Sequence, residues 1–435
     1  MNDRIKVVDV ELRSPPEPLG NLDGYQKLRA LVRLHGAPIG HVELPLPDTG
    51  FGAADLKRII LRRLEWPILR HHLTDALESP LSPDGLGIEE LSGVAHPASE
   101  GLRTLITVAV CTRDRTEELK LCLDALLALD YPDSRLELLV VDNAPSDDAT
   151  RRLVEDLPEV RYVREHRPGL SRARNRAIME ARGEVIAFTD DDVIVDERWV
   201  GALAGAFSED ARVMAVTGLV VPYELESEAQ VLFERYGGFG RGYERRRWRM
   251  DLEDGERPFG YLGAGRYGTG ANMAYRREVF EEVGLFDPAL GAGTLTNGGE
   301  DLDIFFRVLR GGHVLAYEPS AMVRHRHRRE YARLRKQLAD NASSVSSTLV
   351  RTARVYPEAR GDAVRFWLWW FWRGHLRRLA GSFARPKRFP RDLIMAELWS
   401  FLAGLGRYPK ARRRAPRTAH SNDGVPRFDS EVETG

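Results

Sequence analysis

Val185 to Val193 reads VIAFTDDDV. An apolar, β-branched run stops abruptly at consecutive carboxylates, Asp190, Asp191 and Asp192. The run has the length and composition of a buried strand. Its C-terminal end is the edge at which open α/β sheets bind their ligands. Adjacent acids repel one another and a sheet core has no use for them, so an acidic polar loop explains the triplet poorly. A divalent-metal site explains it better. Hard cations take carboxylate oxygens, and a metal that holds a diphosphate needs only one or two from the protein.

Outward from this stretch the chain alternates strand and helix. Leu105–Val110 reads as an apolar strand followed by CTRDR, Glu117–Leu129 as an amphipathic helix, and Leu136–Val141 as a second buried strand ending in DNAPSDD. Ala149–Leu157 and Leu170–Ala181 read as helices, with a short strand at Val160–Val163 between them. This order predicts an α/β fold: a Rossmann-like, mostly parallel sheet with helices on both faces. The strand ends at Cys111, Asp142 and Thr189 then converge on one crevice. Further on, Trp199–Phe207 reads as helix and Val213–Val221 as strand. Glu224 to Gly268 reads as irregular, and a stretch of that length suggests a mobile lid. GTGANMAYRREVF predicts a glycine turn, a strand and a helix start; EDLDIFFR predicts a helix; His313–Tyr317 is the last expected strand.

The flanks differ in character. Ile5–Leu12 alternates like a strand, Leu28–Leu34 and Ile39–Leu46 suggest a hairpin around HGAP, and Ala53–Leu77 suggests a helix broken near Pro67. Residues 1–95 are therefore expected to form a small α+β domain. A linker rich in Pro, Ser and Gly, about Ser79 to Gly101, separates it from a catalytic unit over 102–327. Residues 328–408 are basic and helical in pattern, and 409–435 form a polar tail expected to be disordered.

The 435 residues suffice for two or three domains. With 64 Lys and Arg against 65 Asp and Glu, nothing in the global charge points to nucleic acid, and no nucleic-acid partner is expected. Cys111 and Cys122 suggest neither a disulfide framework nor a zinc site. MNDRIKVVDVELRS has no apolar signal core, and no stretch reaches the ~20 apolar residues that span a bilayer, so a cytoplasmic protein is expected. Val364–Trp372 reads VRFWLWWFW, and Arg373–Arg414 carries twelve Lys or Arg against Asp392 and Glu397. This pairing suggests a peripheral contact with the inner face of the membrane. A helix packed on the catalytic unit with solvated arginines explains it equally well.

Seven pieces in order, CTRDR, VVDNAPSDD, HRPGLSRARNRAI, FTDDD, GTGANMAY, GGEDLDIFFR and PSAMVRHRH, span Ile106 to His327. Together they resemble the family-2 glycosyltransferases of the GT-A fold. The resemblance implies a nucleotide-diphosphate sugar as donor, a divalent metal (Mn2+ or Mg2+), inversion at the anomeric carbon, and a saccharide or lipid-linked acceptor. Asp142 matches the aspartate that grips the base. Thr112, Arg113 and Arg115 follow the first strand and can reach base or phosphate. Arg174 and Asn175 match a motif lining the donor pocket. Asp190 and Asp192 match the outer positions of the DxD element, with Asp191 nearer ribose or sugar. His325 matches the third protein ligand of the metal, with His327 as the alternative. Asp301 matches the general base that takes the proton of the acceptor hydroxyl. It opens a helix, where the dipole favours an ionised carboxylate. Glu300 is the next candidate for that role, and Asp303 is read as ordinary charge complementarity to the helix. Thr269, Gly270, Ala271 and Asn272 match the loop that shapes the sugar and acceptor site.

The chain lacks the QxxRW motif and transmembrane helices of processive synthases, so transfer of one or a few sugars is expected. A dehydrogenase would need GxGxxG at the first strand–helix turn, where CTRDRT stands. A glycoside hydrolase would also use two carboxylates but has no need of a base grip at Asp142. The remaining alternative is a non-catalytic sugar-nucleotide or glycan-binding scaffold. The joint presence of Asp190, Asp192, Asp301 and His325 argues against it.

Overall fold

A computed structural model describes residues 4–14, 19–20, 22–46, 52–78, 103–250, 260–263, 265–384 and 390–415. The expected linker therefore lies outside the described residues.

The N-terminal unit is a three-stranded sheet, β1 (Ile5–Glu11), β2 (Lys27–Leu34) and β3 (Ala37–Pro45), in the order β1-β2-β3. The expected hairpin is present, and β2 and β3 pair antiparallel. Its turn residues His35 and Gly36 have φ of 55° and 80°, the positive pair that a two-residue turn matching strand twist requires. Helices α1 (Ala53–Arg63) and α2 (Glu65–Glu78) follow, broken at Leu64. Pro67 falls in the first turn of α2, where its missing N–H leaves no helical bond unmade.

The second sheet carries β4 (Ile106–Thr112), β5 (Leu136–Asn143), β6 (Val160–Glu165), β7 (Val185–Asp190), β8 (Val193–Val195), β9 (Val213–Pro222), β10 (Arg246–Trp248), β11 (Asn272–Arg276) and β12 (Val314–His325). Its order is β10-β12-β9-β11-β7-β4-β5-β6, with β8 pairing β12. The β7-β4-β5-β6 half is parallel, as the strand–helix rhythm predicts, while β11 runs antiparallel between β7 and β9. Alternation along the strands separates two cores. Ile106, Val108 and Val110 of β4 join one, and Ala109 with Leu139 and Val141 joins the other. Helices α3 (Thr116–Leu127), α4 (Ala149–Glu155), α5 (Leu170–Glu180) and α6 (Trp199–Ser208) cover this half.

Three expectations need correction. First, the stretch after β9 is not wholly irregular. Helix α7 (Glu228–Tyr236) starts on a capping box between Ser227 and Gln230, and β10 pairs β12. Residues 251–259 of the expected lid lie outside the described set. Second, β12 does not stop at Tyr317. Its pairing with β9 shifts register between Glu318 and Val323, a bulge that absorbs Pro319, and the strand continues until His325 stands opposite Val193 of β8. Third, helix continues past Tyr408.

After α8 (Val279–Val283) and α9 (Glu300–Arg310), the chain beyond β12 forms α10 (Tyr331–Val355), α11 (Arg360–Trp370), α12 (Arg377–Ala384) and α13 (Arg391–Arg414). Pro409 lies inside α13, where Tyr408 and Ala411 are buried against Ala289 and Leu290. That burial offsets the lost backbone bond, so order extends through Arg414 instead of ending at 408; residues 416–435 lie outside the described set. Helices α10 and α13 meet on small residues. Ser347 donates to the carbonyl of Gly404 at 3.1 Å, and a Cβ on Gly404 would come within 2.7 Å of the Ser343 carbonyl. No described helix is long and apolar enough to cross a membrane. The tryptophan run is also divided. Phe366 is buried, and Trp367 stacks on Phe401 and donates to Ser346 at 2.9 Å. Val364, Leu368 and Trp372, spaced four apart, are 50%, 56% and 64% exposed.

Candidate active site

The C-terminal ends of β4, β5 and β7 lie side by side, Thr112 opposite Asp142 and Cys111 opposite Asp190. Loops leaving these strands are tied to each other. Asp114, at φ 54°, accepts from the backbone and hydroxyl of Ser146 at 2.8 and 2.9 Å. Asn143 donates to the carbonyl of Arg167 and accepts from Gly169 N–H, at 2.9 and 2.8 Å. A fixed crevice results without help from a ligand.

At its β5 end, Asp142 is fully buried. Tyr162 donates to its Oδ2 at 2.9 Å, whereas Oδ1 has no hydrogen-bond partner among the described residues. Burial raises this carboxyl above its ordinary range against the pull of Tyr162 and Arg164. An orphaned buried oxygen on a ligand-facing strand end suits an N–H donor from outside the chain.

At the β7 end the three carboxylates separate into three environments. Asp191 is buried; it accepts from the Thr112 hydroxyl at 2.8 Å and pairs with Arg115. Burial pushes it up to about 7 despite that arginine. Asp192 accepts from Arg115 at 3.0 Å, lies 3.4 Å from Arg328, and has its Oδ1 3.4 Å from His325 Nε2. Burial opposes its ionisation, but His325, Arg115 and Arg328 outweigh burial and hold it below its ordinary range. Asp190 faces the other way, with Arg174 at 3.4 Å. Burial pushes His325 down to about 4, against the pull of Asp192, so the ring is neutral at pH 7. The expected ligand trio is thus only partly assembled. Asp192 and His325 are together, Asp190 is drawn to Arg174, and among the described residues no three His, Cys, Asp or Glu side chains form a ready metal cage.

On the far side of the crevice, α9 begins after Gly299, whose φ is 91°. The Cβ of any other residue there would meet the Thr348 hydroxyl of α10 at 2.3 Å. Asp301 is half-buried and accepts from Gly270 N–H at 3.0 Å and from Leu302 N–H at 2.8 Å. Glu300 points inward. It is buried and accepts from Arg174 at 2.9 Å; its other oxygen has no hydrogen-bond partner among the described residues, and burial raises it to about 7 against the pull of Arg174.

Several candidates are therefore relocated. Arg174 is buried beneath the crevice, joining Glu300, Asp190 and the Gly270 carbonyl, the last at 3.0 Å, so it positions the site from below. A Cβ on Gly270 would press on this guanidinium at 3.0 Å. Asn175 exchanges two 2.9 Å hydrogen bonds with the backbone of Phe286. Asn272 is wholly buried and donates to the carbonyls of Leu219 and Ala321 while accepting from Trp199. Both asparagines are framework, because their amides are already committed to the protein. Glu300 is likewise no partner for an acceptor hydroxyl in this arrangement. Arg113 is exposed at the rim, 3.6 Å from Asp114. Asp303 is no simple helix-end charge, being fully buried between Arg307 and Arg351. The contacts of Tyr162 with Asp142 and of Arg328 with Asp192 have no motif in the sequence to announce them. Tyr162 lies on the strand next to Asp142, and Arg328 sits just past the histidine pair.

Residues 107–284 match the family model for glycosyl transferase family 2. The chain carries a family-2 glycosyltransferase domain. Similar curated proteins include a glucosyl-dolichyl phosphate glucuronosyltransferase of Haloferax volcanii, 25% identical over 51% of this chain and 69% of that protein. A pre-mycofactocin glycosyltransferase of Mycobacterium tuberculosis is 28% identical over 38% of this chain and 31% of its own length. A succinoglycan biosynthesis protein of Rhizobium meliloti is 30% identical over 50% and 65%. The chain thus spans about a third to two thirds of these relatives. Among solved structures, a Pyrobaculum calidifontis mannosyltransferase in complex with GDP-Man and Mn2+ superposes with a TM-score of 0.46 at 18% identity, over 78% of this chain and 93% of that one. The family-2 domain accounts for the parallel half of the sheet and the carboxylate edge. The match ends before Asp301 and His325, whose places in the crevice rest on the geometry above.

Proposed function

We propose that the protein is an inverting glycosyltransferase that moves a sugar from a nucleotide diphosphate to a hydroxyl of a saccharide or lipid-linked acceptor. The observation that carries this reading is the orphaned, buried Asp142 Oδ1 on the same sheet edge as the Asp192–His325 pair. The first accepts a base N–H. The second offers one carboxylate and one neutral imidazole, a donor set suited to Mn2+ or Mg2+ that leaves other positions for diphosphate oxygens and water. A metal bound there supplies Lewis-acid stabilisation of the leaving diphosphate. Arg115 and Arg328 border the same carboxylate and are placed to meet phosphate charge.

Asp301 is the general base in this reading. Two backbone N–H groups fix its carboxylate, and an ionised carboxylate keeps further lone pairs for an acceptor hydroxyl. Donor binding is tested by thermal shift with UDP, GDP and dTDP, with and without Mn2+. A metal-dependent stabilisation that Asp192→Ala abolishes is expected, and indifference to both metal and Asp192 would sink the metal assignment. Asp301→Asn should bind donor normally while transfer slows by ~10²–10⁴. Near wild-type transfer by that variant would move the base elsewhere.

A peripheral membrane contact is the finer reading of location. It is supported by the exposed stripe of Val364, Leu368 and Trp372, flanked by exposed Arg365, Arg373 and Arg377. Co-sedimentation with anionic and neutral vesicles tests it.

A further inference from the structure

A partly open pocket of about 260 Å³ lies where the two sheets meet. The N-terminal strands line one side of it, and the end of β9 with the loop after α7 lines the other. It is separate from the crevice: side chains alternate along β12, so the strand that brings His325 to Asp192 turns the preceding Arg324 to the pocket. Val7, Leu31 and Leu219 form an apolar wall. Asp9, Arg29, Glu234 and Arg324 form a polar one, and their charges cancel in pairs. Arg29 donates to Glu234 Oε2 at 2.6 Å, and Arg324 pairs with Asp9 Oδ2. His41 also lines the pocket; burial and then Arg29 hold it below its ordinary range, so it adds no charge at pH 7. The Asp9–Arg324 pair is not saturated. Its second Nη lies 3.6 Å from Asp196, and Arg33 approaches the same Asp9 Oδ2 at 3.5 Å. Among the described residues, Asp9 Oδ1 accepts no hydrogen bond and Arg324 Nε donates none.

We propose that this pocket is a second binding site, built jointly by the N-terminal sheet and the catalytic sheet, for a short neutral saccharide. A hydroxyl both donates and accepts, so neighbouring hydroxyls of one sugar ring satisfy Asp9 Oδ1 and Arg324 Nε together. The C–H face of the ring lies on Val7, Leu31 and Leu219. Other ligand classes fit less well. An anion meets Asp9 and Glu234, a cation meets Arg29 and Arg324, and the pocket has no surplus charge to offset the desolvation of either. A wholly apolar ligand would strip water from charged side chains and return no hydrogen bond. Pockets for drug-sized ligands run to ~300–1,000 Å³ and favour domain junctions, so this smaller one suits a mono- or disaccharide. The N-terminal sheet is then a ligand-binding element and not only a support.

Nothing in this site depends on donor, metal or transfer, so its failure and that of the transferase reading are distinguishable. Carbon-13 methyl spectra of the full chain, without donor or metal, read the pocket through Val7, Leu31 and Leu219, assigned with Val7→Ile, Leu31→Met and Leu219→Met. The neutral probes are methyl β-D-glucoside, methyl α-D-mannoside, methyl β-D-galactoside, maltose and cellobiose, each titrated up to its solubility. Inorganic phosphate and methyl β-D-glucuronide are the anionic probes. At least one neutral sugar should shift the three residues' methyls saturably and leave those of Val141, beside Asp142, in place. For that sugar, Asp9→Ala should weaken binding about 10–100-fold, as loss of a hydrogen bond to a charged group does. Val7→Phe fills the pocket, leaves the polar wall intact and should abolish binding. The wild-type titration needs neither variant to fold. Silence of these methyls toward every neutral sugar would overturn the site, as would unchanged affinity in a folded Asp9→Ala or Val7→Phe. A sugar that moves Val141 alone would place binding in the crevice and overturn it too. Phosphate or the glucuronide binding as tightly as any neutral sugar would overturn the ligand class.

Discussion

The two flanks of the catalytic sheet are fastened in different ways. On the C-terminal side, Arg351 of α10 is buried against Asp303 of α9 and 2.8 Å from Asp287, which also accepts from Tyr408 at 3.0 Å. Thr348 of the same helix donates to the carbonyl of Gly299, at the start of α9, at 3.1 Å. On the N-terminal side Arg33 pairs with Asp196 at 2.5 Å, about as buried, while the ties of Arg29 to Glu234 and of Arg324 to Asp9 lie nearer to solvent. That interface holds a partly open pocket of about 260 Å³. The C-terminal flank carries the helix bearing Asp301, and on the other flank Glu234 lies 2.9 Å from His327. On the function proposed above, a base that must meet an acceptor hydroxyl gains from a rigid mount. A metal edge that must admit and release a charged donor tolerates a softer one.

The largest expected effect breaks the rigid mount. Arg351→Met leaves Asp287 buried without its cation and Asp303 with Arg307 alone, and should cost about 3–5 kcal/mol in chemical denaturation. Arg324→Met removes a more exposed tie, to Asp9, and should cost about 0.2–1 kcal/mol, the range for exposed ion pairs. Equal losses for the two variants would mean that the flanks are fastened alike.

A smaller effect concerns the inward carboxyl at the head of α9. Burial raises Glu300 to about 7 from an ordinary 4.5. Between these values the folded state holds a proton that the unfolded state has lost. This group therefore lowers stability as pH rises through that window, and its penalty is complete above it. Glu300→Gln removes the titration. The Tm of Glu300→Gln relative to wild type should accordingly be higher at pH 8 than at pH 5. A difference independent of pH would show that Arg174 already keeps Glu300 ionised.

The sheet and the carboxylate edge were legible because apolar strands and the strand–helix rhythm are local signals. The far end of β12 was not, since Pro319 reads as a stop until pairing with β9 and β8 shows a bulge. In the sequence Asn175, Asn272 and Glu300 look like ligand contacts, because an amide or carboxyl has the same appearance whether it meets substrate or a backbone carbonyl. Only burial distinguishes the two. Asp303 and Glu234 escaped for a related reason. Their partners Arg351 and His327 are remote in sequence, so no spacing along a helix or strand announces them.

The smallest expected effect on stability separates the two faces of the C-terminal flank. Inward, Phe366 stacks on Trp370 and Trp367 on Phe401. Outward, Val364, Leu368 and Trp372 project into solvent, so their loss removes little buried area. Leu368→Ser with Trp372→Ser should leave unfolding free energy within about 0.5 kcal/mol of wild type, as for surface sites generally. The same pair should lower co-sedimentation with anionic vesicles if this stripe enters the interface, because tryptophan is favoured there and the neighbouring arginines meet anionic headgroups. Wild-type binding should also weaken with salt. Trp369→Ala and Trp370→Ala are poorer probes, because both rings lie half-buried beside Phe366 and their truncation disturbs packing. Vesicle binding that persists in the serine variant would place the lipid contact elsewhere. Wild type that binds neither vesicle would leave the C-terminal helices with the mounting role alone.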